Sequence, residues 1–326
     1  MTSYSTVPAV AGRTVWTLPG ALSRLRPQAC GLLVALNERV WQVSDPALLE
    51  LVRLRAAQLI GNLAALRVRC PYADAVPESK ILAVPDYPYS PLFSSAERDV
   101  VSLAEQFVID VGGTTEDMRA ELTGRFGADG ARELVTAIYV VEFTQRLQLI
   151  AARLLDDVPV TLVASVDAST AGLLNAYQAA VVRGSALDPV TTELVRLRCA
   201  RTHHCRICQT LRLAGARAAG VDETMTAKVD FYERSDLPER AKVALRVTDA
   251  FITRPDLLSD AAAGQARASF GPAELASLAL DITKWSTQKI HVALGTDGAD
   301  RLVTDADGVA LFGFDSDGEA TGYRRR

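Results

Sequence analysis

Two segments of the chain are near copies of each other, and this repeat limits the possible folds more than any other feature. The segment DPALLELVRLRAA begins at Asp45 and DPVTTELVRLRCA begins at Asp188, an offset of 143 residues. Nine of the thirteen positions are identical, and six of these are consecutive. A match of this extent indicates a duplicated structural unit.

Shorter matches extend the repeat on both sides. Gly31-Leu32-Leu33 corresponds to Gly172-Leu173-Leu174, Glu97-Arg98 to Glu239-Arg240, Phe126-Gly127 to Phe270-Gly271, and Thr144-Gln145 to Thr287-Gln288. The offset changes by one or two residues between these matches, as short loop insertions would cause. We therefore predict two copies of one domain, residues 20–150 (the first repeat) and 165–300 (the second repeat), followed by a tail at 301–326.

Each repeat has the sequence pattern of a helical domain. Apolar residues recur at three- and four-residue spacing in 96–109, 131–155, 238–252 and 273–294, which predicts amphipathic helices. In the tail, two apolar runs flank Asp307-Gly308 and predict a β-hairpin over 302–314. Residues 158–165 are a candidate for a short extended segment. The predicted fold class is all-α, a tandem duplicated helical domain with a short C-terminal β-hairpin.

The composition excludes several classes of protein. With 49% hydrophobic and 23% charged residues, the chain has the make-up of a globular protein. Its net charge of −4 gives no basic surface for nucleic acid. We find no signal peptide and no run of about eighteen apolar residues, so we expect no membrane partner. Five cysteines, two of them in a Cys-x-x-Cys pair, are typical of a cytoplasmic redox protein.

Reactive side chains are concentrated between residues 193 and 212. This segment contains Glu193, His203, His204, the pair Cys205 and Cys208, and Arg212. Its apolar residues have helical spacing and no proline interrupts them, so we predict helix through the segment and no helix start at Cys205. On such a helix His204, Cys208 and Arg212 lie on one face as successive i, i+4 neighbours.

The first repeat has the same frame but lacks the redox side chains, the two thiols. At the offset of 143, Glu50 corresponds to Glu193, Gly61 to His204, Asn62 to Cys205, Ala65 to Cys208 and Arg69 to Arg212. Cys70 does not restore the pair, because it corresponds to Leu213. We therefore predict that both repeats build the architecture and that only the second carries thiol chemistry.

A helical repeat with a glutamate twelve residues before Cys-x-x-Cys, followed by a helix that begins at Glu239-Arg240, resembles the carboxymuconolactone decarboxylase/alkylhydroperoxidase AhpD-like family. The resemblance covers nearly the whole chain as two tandem units. It implies an all-α domain that assembles as trimers or hexamers of units. For a chain of two units we expect a homo-oligomer, either a trimer of chains or a dimer.

The resemblance also implies a thiol peroxidase. In thiol-bearing members the second cysteine reacts with a hydroperoxide and the first resolves the product, which assigns these roles to Cys208 and Cys205. The family glutamate, a proton acceptor acting through a histidine relay, corresponds to Glu193. A dithiol electron donor, thioredoxin-like or lipoyl-type, completes such a cycle. The chain has no flavin or haem motif, and we expect no cofactor.

Two positions depart from the family pattern. The family peroxidases typically have a histidine two residues after the first cysteine and another four residues after the second, where this chain has Ile207 and Arg212. We expect His204 to replace the relay histidine, because helical geometry puts it one turn before Cys208. Arg212 is the candidate for binding a substrate carboxylate.

Several of these residues also have simpler interpretations. The cysteines would be two packed helix residues, or zinc ligands with the histidines. A zinc site is disfavoured because consecutive helical residues diverge by about 100° and a second ligand pair is missing, so we predict no metal. Glu193 would form an ion pair with Arg196, Arg212 would pair with an acidic group such as Glu193, and His291 would be a core or interface histidine.

Three functions follow from the segment. The first is a thiol–disulfide oxidoreductase, most simply a hydroperoxide reductase that uses Cys205 and Cys208. The second is a decarboxylase-like enzyme acting on a small organic acid or lactone, in which Arg212 holds the acid and Glu193 or His204 moves protons. The third is a non-catalytic redox sensor.

Overall fold

Helices make up most of the described chain. The computed structural model describes residues 6–7, 17–73, 75–155, 158–162, 168–300 and 302–324. The helices before residue 156 are α1 (Gly20–Leu25), α2 (Pro27–Val43), α3 (Pro46–Ile60), α4 (Leu63–Leu66), α5 (Glu78–Leu82), α6 (Ser95–Asp110) and α7 (Glu116–Leu155). Those after residue 167 are α8 (Thr170–Arg183), α9 (Pro189–Thr202), α10 (Arg206–Thr210), α11 (Ala214–Ala218), α12 (Glu223–Ala227), α13 (Glu239–Ile252), α14 (Asp260–Ser269), α15 (Pro272–Trp285) and α16 (Lys289–Ala293). The predicted all-α class is confirmed.

Short strands form two small sheets. The first has the order β1 (Thr6–Val7), β3 (Pro159–Leu162), β2 (Thr17–Pro19), and the second β4 (Leu211–Leu213), β5 (Ala310–Phe314), β6 (Ala320–Thr321). The extended segment predicted at 158–165 is present as β3, while 163–167 lie outside the described residues. A C-terminal hairpin is present as predicted, but its position was predicted wrongly, because it consists of β5 and β6 joined by a turn at 315–318 and is not centred on Asp307-Gly308. The other edge of β5 pairs with β4, which runs parallel to β5.

Equivalent segments of the two repeats have the same local structure. α3 and α9 each begin with an aspartate whose side chain caps the helix and a proline in the first turn, the pairs Asp45-Pro46 and Asp188-Pro189. Each helix leads to a residue with a left-handed backbone, Gly61 at φ 75° and His204 at φ 56°. A short helix then follows in each repeat. The match of backbone geometry at one offset agrees with the duplication, whose boundaries stay a prediction.

Equivalent helices also pack against each other. α2 packs on α8, and α7 packs on α15. Contacts between equivalent elements are what a local twofold axis produces. Side chains reach across this junction: the Tyr139 hydroxyl donates to the Thr283 carbonyl at 2.7 Å, and Arg26 donates to the Val181 carbonyl at 2.7 Å.

Helix α7 is the central helix of the fold. Gly127, with φ 70° and ψ 172°, interrupts it, so its backbone consists of two consecutive helices. By length and composition alone α7 would be able to cross a membrane, but 89% of its most apolar window is buried inside the protein. A helix enclosed by other parts of a protein core has this apolar composition on all sides.

A buried ionic cluster joins α7 to the second repeat. The Glu142 carboxylate accepts hydrogen bonds from Arg146 Nε at 2.8 Å and from Lys289 Nζ at 2.8 and 2.9 Å. Each of the three side chains is at most 3% exposed. Burial lowers the pKa of Lys289 to about 8, although Glu142 opposes the shift. Buried cations are tolerated only when they are paired, so the position of α16 on α7 depends on Glu142.

We expect Glu142→Gln to lower the free energy of unfolding by about 3–5 kcal/mol, because it leaves two buried cations without a carboxylate. Urea unfolding measures this loss. The matched control is Glu116→Gln, which removes a carboxylate that pairs with Arg119 but is 88% exposed. The control should cost less than about 1 kcal/mol. Equal losses in the two variants would contradict a special role for the buried cluster.

Candidate active site

The segment that carries the cysteines is not a continuous helix. α9 ends at Thr202, His204 has a left-handed backbone, and Cys205 is the N-cap residue of α10. Leu211–Leu213 is extended and pairs with β5. The prediction of helix through this segment, with no helix start at Cys205, is therefore wrong. The apolar periodicity predicted a continuous helix here. Several backbone N–H and C=O groups of this segment instead bond to side chains and to the C-terminal tail.

An arginine bonds to the carbonyls that follow this break. Arg196 donates from Nη1 to the Cys208 carbonyl at 2.8 Å and from Nη2 to the Leu211 carbonyl at 2.5 Å. Its Nε and Nη2 also hold the Glu193 carboxylate at 2.7 and 2.8 Å. Burial lowers the pKa of Arg196, but Glu193 raises it by more, so the guanidinium stays charged. The Arg196–Glu193 pair thus holds the far end of α10.

Asp297 holds the near end of α10. The Cys205 side chain does not cap this helix. Instead the backbone N–H of Arg206 donates to Asp297 Oδ2 at 2.9 Å, and the N–H of Ile207 donates to the Asp297 carbonyl at 3.0 Å. The Arg206 guanidinium also donates to Asp297 Oδ1 at 2.8 Å. The turn that bears both cysteines is therefore held at each end by a side chain from another part of the fold.

The two thiols of this turn lie together. Their Sγ atoms are 2.6 Å apart, with Cys205 donating to Cys208. The hydrogen bond to Cys208, and then burial, raise the pKa of Cys205 far above its usual range, so Cys205 keeps its proton. The remaining cysteines are single thiols whose pKa burial raises to about 12, namely Cys30, Cys70 and Cys199.

Cys208 lines a cavity of about 430 Å³, which we call the thiol cavity. Its polar lining includes Asn175, Gln178, Arg196, Lys284, Gln288 and His291, and its aromatic lining consists of Trp285, Phe312, Phe314 and Tyr323. Phe312 and Phe314 belong to β5, so the C-terminal hairpin forms one wall. The cavity combines an accessible sulfur with cationic and aromatic side chains.

Lys284 is a buried amine in the thiol cavity. It is 6% exposed, and burial lowers its pKa well below the usual range, although Asp281 opposes the shift. Its Nζ lies 3.1 Å from the centroid of the Trp285 ring and 4.5 Å from that of Phe314. Lys284 also interacts electrostatically with Cys208. A buried, perturbed amine in a cavity is a candidate for proton transfer.

The sequence analysis missed Lys284, although the repeat contains a signal for it. At the offset of 143, Lys284 corresponds to Val141. A lysine that replaces an apolar residue in a core helix is costly to bury, so it marks a position with a function of its own. The same comparison that singled out the cysteines would have found it.

Of the two adjacent histidines, His203 and not His204 is the one that points into the protein. His204 is exposed and lies against Gly112, where an added Cβ would be 2.8 Å from its ring. His203 is buried, with Nε2 3.0 Å from Ser286 Oγ and its ring edge-on to Phe143. The prediction that His204 faces the thiols is wrong because it assumed an unbroken helix. The geometric reason for assigning a proton relay to His204 therefore does not hold.

A different histidine is part of the thiol cavity. His291, predicted as a core or interface residue, lines the thiol cavity together with Cys208. Its Nδ1 is 3.0 Å from Thr296 Oγ1, which orients the ring. Within the described part of the chain, no three histidine, cysteine or carboxylate side chains are grouped so that they could hold a metal ion.

Arg212 does not line the thiol cavity. Its guanidinium holds the Glu223 carboxylate at 2.7 and 3.1 Å and donates to the Gln209 carbonyl at 2.6 Å. The simpler interpretation, an acidic partner for Arg212, is confirmed, with Glu223 in place of Glu193. Glu193, the expected proton acceptor, has both oxygens bonded to Arg196. These two residues therefore support the local structure around the cysteines.

His203 should make stability depend on pH. Burial, reinforced by Lys289 and Arg146, lowers its pKa well below the usual value. The unfolded chain takes up a proton at this position near pH ~6.5 and the folded chain does not, so the stabilisation is complete above that pH and is lost below it. Relative to His203→Asn, the wild-type protein should lose about 1.4 kcal/mol of unfolding free energy per pH unit below ~6.5. Urea unfolding across this range measures the difference, and a constant difference would contradict the assignment.

Comparison with known proteins identifies relatives that match most of the chain. Two curated relatives, uncharacterized proteins of Mycobacterium tuberculosis strains CDC 1551 / Oshkosh and ATCC 25618 / H37Rv, are each 35% identical to this chain over 269 residues. The aligned region covers 78% of this chain and 93% of each relative. No solved structure gives a significant match.

The match to a family model falls on the cysteine-bearing part of the chain. The model of the carboxymuconolactone decarboxylase family matches residues 169–229. This range begins at the N-cap of α8, includes α9 and α10 with both cysteines, and ends beyond α12. The helical fold, the position of the Cys-x-x-Cys turn and this match agree with one another. The chain therefore contains a carboxymuconolactone decarboxylase family domain at residues 169–229.

Proposed function

We propose that the protein is a thiol–disulfide oxidoreductase that reduces small organic hydroperoxides in the thiol cavity. One observation carries this proposal: Cys208 opens into the cavity, and the protonated Cys205 lies 2.6 Å from its sulfur. Two thiols in this arrangement can be oxidised and then joined with only a small movement of the side chains. The other cysteines are buried single thiols without a thiol neighbour of this kind.

Lys284 prepares the nucleophile. A buried amine with a lowered pKa is neutral in the resting site, and it accepts the proton of the Cys208 thiol as the thiolate forms. Arg196, which is bonded to the Cys208 carbonyl, places a permanent positive charge near the same sulfur. A positive charge beside a sulfur stabilises the anion that attacks the peroxide.

The thiolate then attacks the terminal oxygen of the hydroperoxide. The O–O bond breaks, Cys208 becomes a sulfenic acid, and the alkoxide leaves as an alcohol after taking a proton from the Lys284 ammonium. The indole Nε1 of Trp285 is buried and has no hydrogen-bond partner within the described residues. Since Trp285 lines the thiol cavity, its N–H is available to a substrate oxygen.

Cys205 completes the oxidative half of the cycle. Its thiol condenses with the sulfenic acid, so that an S–S bond forms, the S–O bond breaks and water leaves with the Cys205 proton. An external dithiol, thioredoxin-like or lipoyl-type, then reduces the disulfide by two exchange steps. The free cysteines fit a reducing compartment, and we propose a cytoplasmic enzyme. We also propose a homo-oligomer, a trimer of chains or a dimer, which light scattering tests.

A second function is favoured by Lys284 itself. A buried amine and the unpartnered Trp285 N–H could hold a small organic acid or lactone and move a proton without any thiol chemistry, as in a decarboxylase. Turnover of such an acid by a Cys205→Ser/Cys208→Ser double variant would support this function. Peroxide reduction that requires Cys208 would favour the first.

The two cysteines should behave differently towards peroxide. In Cys205→Ser, Cys208 should accumulate as a sulfenic acid that dimedone traps, because the resolving thiol is gone. In Cys208→Ser, reaction with peroxide should be abolished, because Cys205 is buried and is not among the described residues that line the thiol cavity. Mass spectrometry after brief exposure to cumene hydroperoxide decides between the roles. Oxidised Cys205 in the Cys208→Ser protein would reverse the assignment.

Removal of the amine should slow the first chemical step. We expect Lys284→Met to lower the rate of Cys208 oxidation near neutral pH at least about tenfold and to change the pH profile of the rate, because the group that accepts the thiol proton is gone. Lys284→Arg should introduce a permanent positive charge without restoring a proton acceptor. Lys228→Met, which removes a surface lysine paired with Asp236, serves as the control. An unchanged pH profile in Lys284→Met would exclude the amine from the mechanism.

A further inference from the structure

The first repeat contains its own cavity, of about 370 Å³, which we call the N-terminal cavity. Among its lining residues are Arg53, Ala65, Val68, Val141 and Gln145. At the offset of 143 these correspond to Arg196, Cys208, Leu211, Lys284 and Gln288, all of which line the thiol cavity. The two cavities are therefore equivalent. Residues of β2 and β3 line the first, as residues of β5 and β6 line the second.

The N-terminal cavity lacks the reactive groups of its counterpart. Ala65 stands in place of the accessible cysteine, and Val141 stands in place of the buried lysine. The guanidinium of Arg53 is fully engaged: it holds the Glu50 carboxylate by two bonds of 2.7 Å and donates to the Ala65 and Val68 carbonyls. Arg153, also in the lining, pairs with Asp260 at 3.3 Å. Among the described lining residues a ligand meets no thiol, no amine and no unpaired cation, which disfavours both redox chemistry and acids.

One buried polar atom of this cavity lacks a partner. Gln145 is 5% exposed, and its Oε1 has no hydrogen-bond donor within the described residues. Its Nε2 donates to the Val141 and Arg53 carbonyls at 3.2 and 3.3 Å, so the amide must present its oxygen as the free atom. A buried acceptor without a donor is destabilising, and a ligand that donates to it removes this cost. In the thiol cavity the unpartnered atom is a donor, Trp285 Nε1.

We propose that the N-terminal cavity binds a neutral, largely apolar small molecule through one hydroxyl or N–H group that donates to Gln145 Oε1. The side chains of Val68, Val141 and Leu149 supply the apolar walls. The volume admits roughly a dozen non-hydrogen atoms at ~30 Å³ each. This inference does not depend on the peroxidase proposal, because it uses neither the cysteines nor Lys284.

The test uses two probes that differ only in the group at one oxygen. 4-Propylphenol carries a hydroxyl donor, and 4-propylanisole carries a methyl ether in its place. In the full-length protein, methyl NMR signals of Val68 and Val141 should shift on titration with the phenol. The phenol should bind at least about tenfold more tightly than the ether, the difference expected for one buried hydrogen bond. Equal affinities, or no shift at these two methyl pairs, would overturn the proposal.

Matched variants locate the bound probe. Gln145→Leu should remove the preference for the phenol, whereas Gln288→Leu, the equivalent change in the thiol cavity, should leave it intact. The opposite pattern would assign the phenol to the thiol cavity and reject the proposal. Should Gln145→Leu not fold, Ala64→Trp provides the second variant, since Ala64 is an exposed residue in the cavity lining. This substitution must abolish the shifts at Val68 and Val141, and persistence of the shifts counts against the site.

Discussion

The cysteine turn depends on the buried pair Arg196–Glu193. A helix that breaks inside a protein leaves carbonyl groups without partners, and such groups must be bonded elsewhere. Arg196 bonds to two of these carbonyls, Cys208 and Leu211, while Glu193 neutralises its charge by a bidentate contact. Removing either partner would leave the other charged and buried, which is far more costly than losing a surface pair. The break that exposes Cys208 to the cavity is therefore stable only with both residues present.

The first repeat shows that this interaction belongs to the architecture and not to the reaction. Arg53 and Glu50 form the same bidentate pair, and Arg53 donates to the carbonyls of Ala65 and Val68, which are the counterparts of Cys208 and Leu211. The two predicted repeats thus have equivalent turns beside equivalent cavities. The linings of the two cavities differ at two equivalent positions, where one cavity has a thiol and an amine and the other has apolar side chains.

Sequence patterns predicted the parts of the structure that follow from local periodicity and from the repeat. The helices α6 and α13 were accessible in this way, and the position of the Cys-x-x-Cys pair was evident from the sequence, whereas the turn that carries the pair was predicted as continuous helix. The orientation of His204 and the role of Arg212 were not, because both rested on a continuous helix. That helix is broken by long-range contacts from Asp297 and β5, which no local pattern contains. Lys284 was accessible in principle, since only the comparison with Val141 distinguishes it from an ordinary helix lysine.

The backbone of His204 explains how one position changed its use between the repeats. Among the described residues it is the only non-glycine with positive φ, and the equivalent position in the first repeat is Gly61, which adopts the same conformation without a steric penalty. Histidine at this position costs on the order of 1 kcal/mol or more in backbone strain. The side chain offsets part of this cost by packing on Gly112 in the first repeat, where a larger residue would collide with it. The strained residue therefore links the cysteine turn to the repeat that lacks the Cys-x-x-Cys pair, so the geometry of Cys205 and Cys208 depends on both repeats.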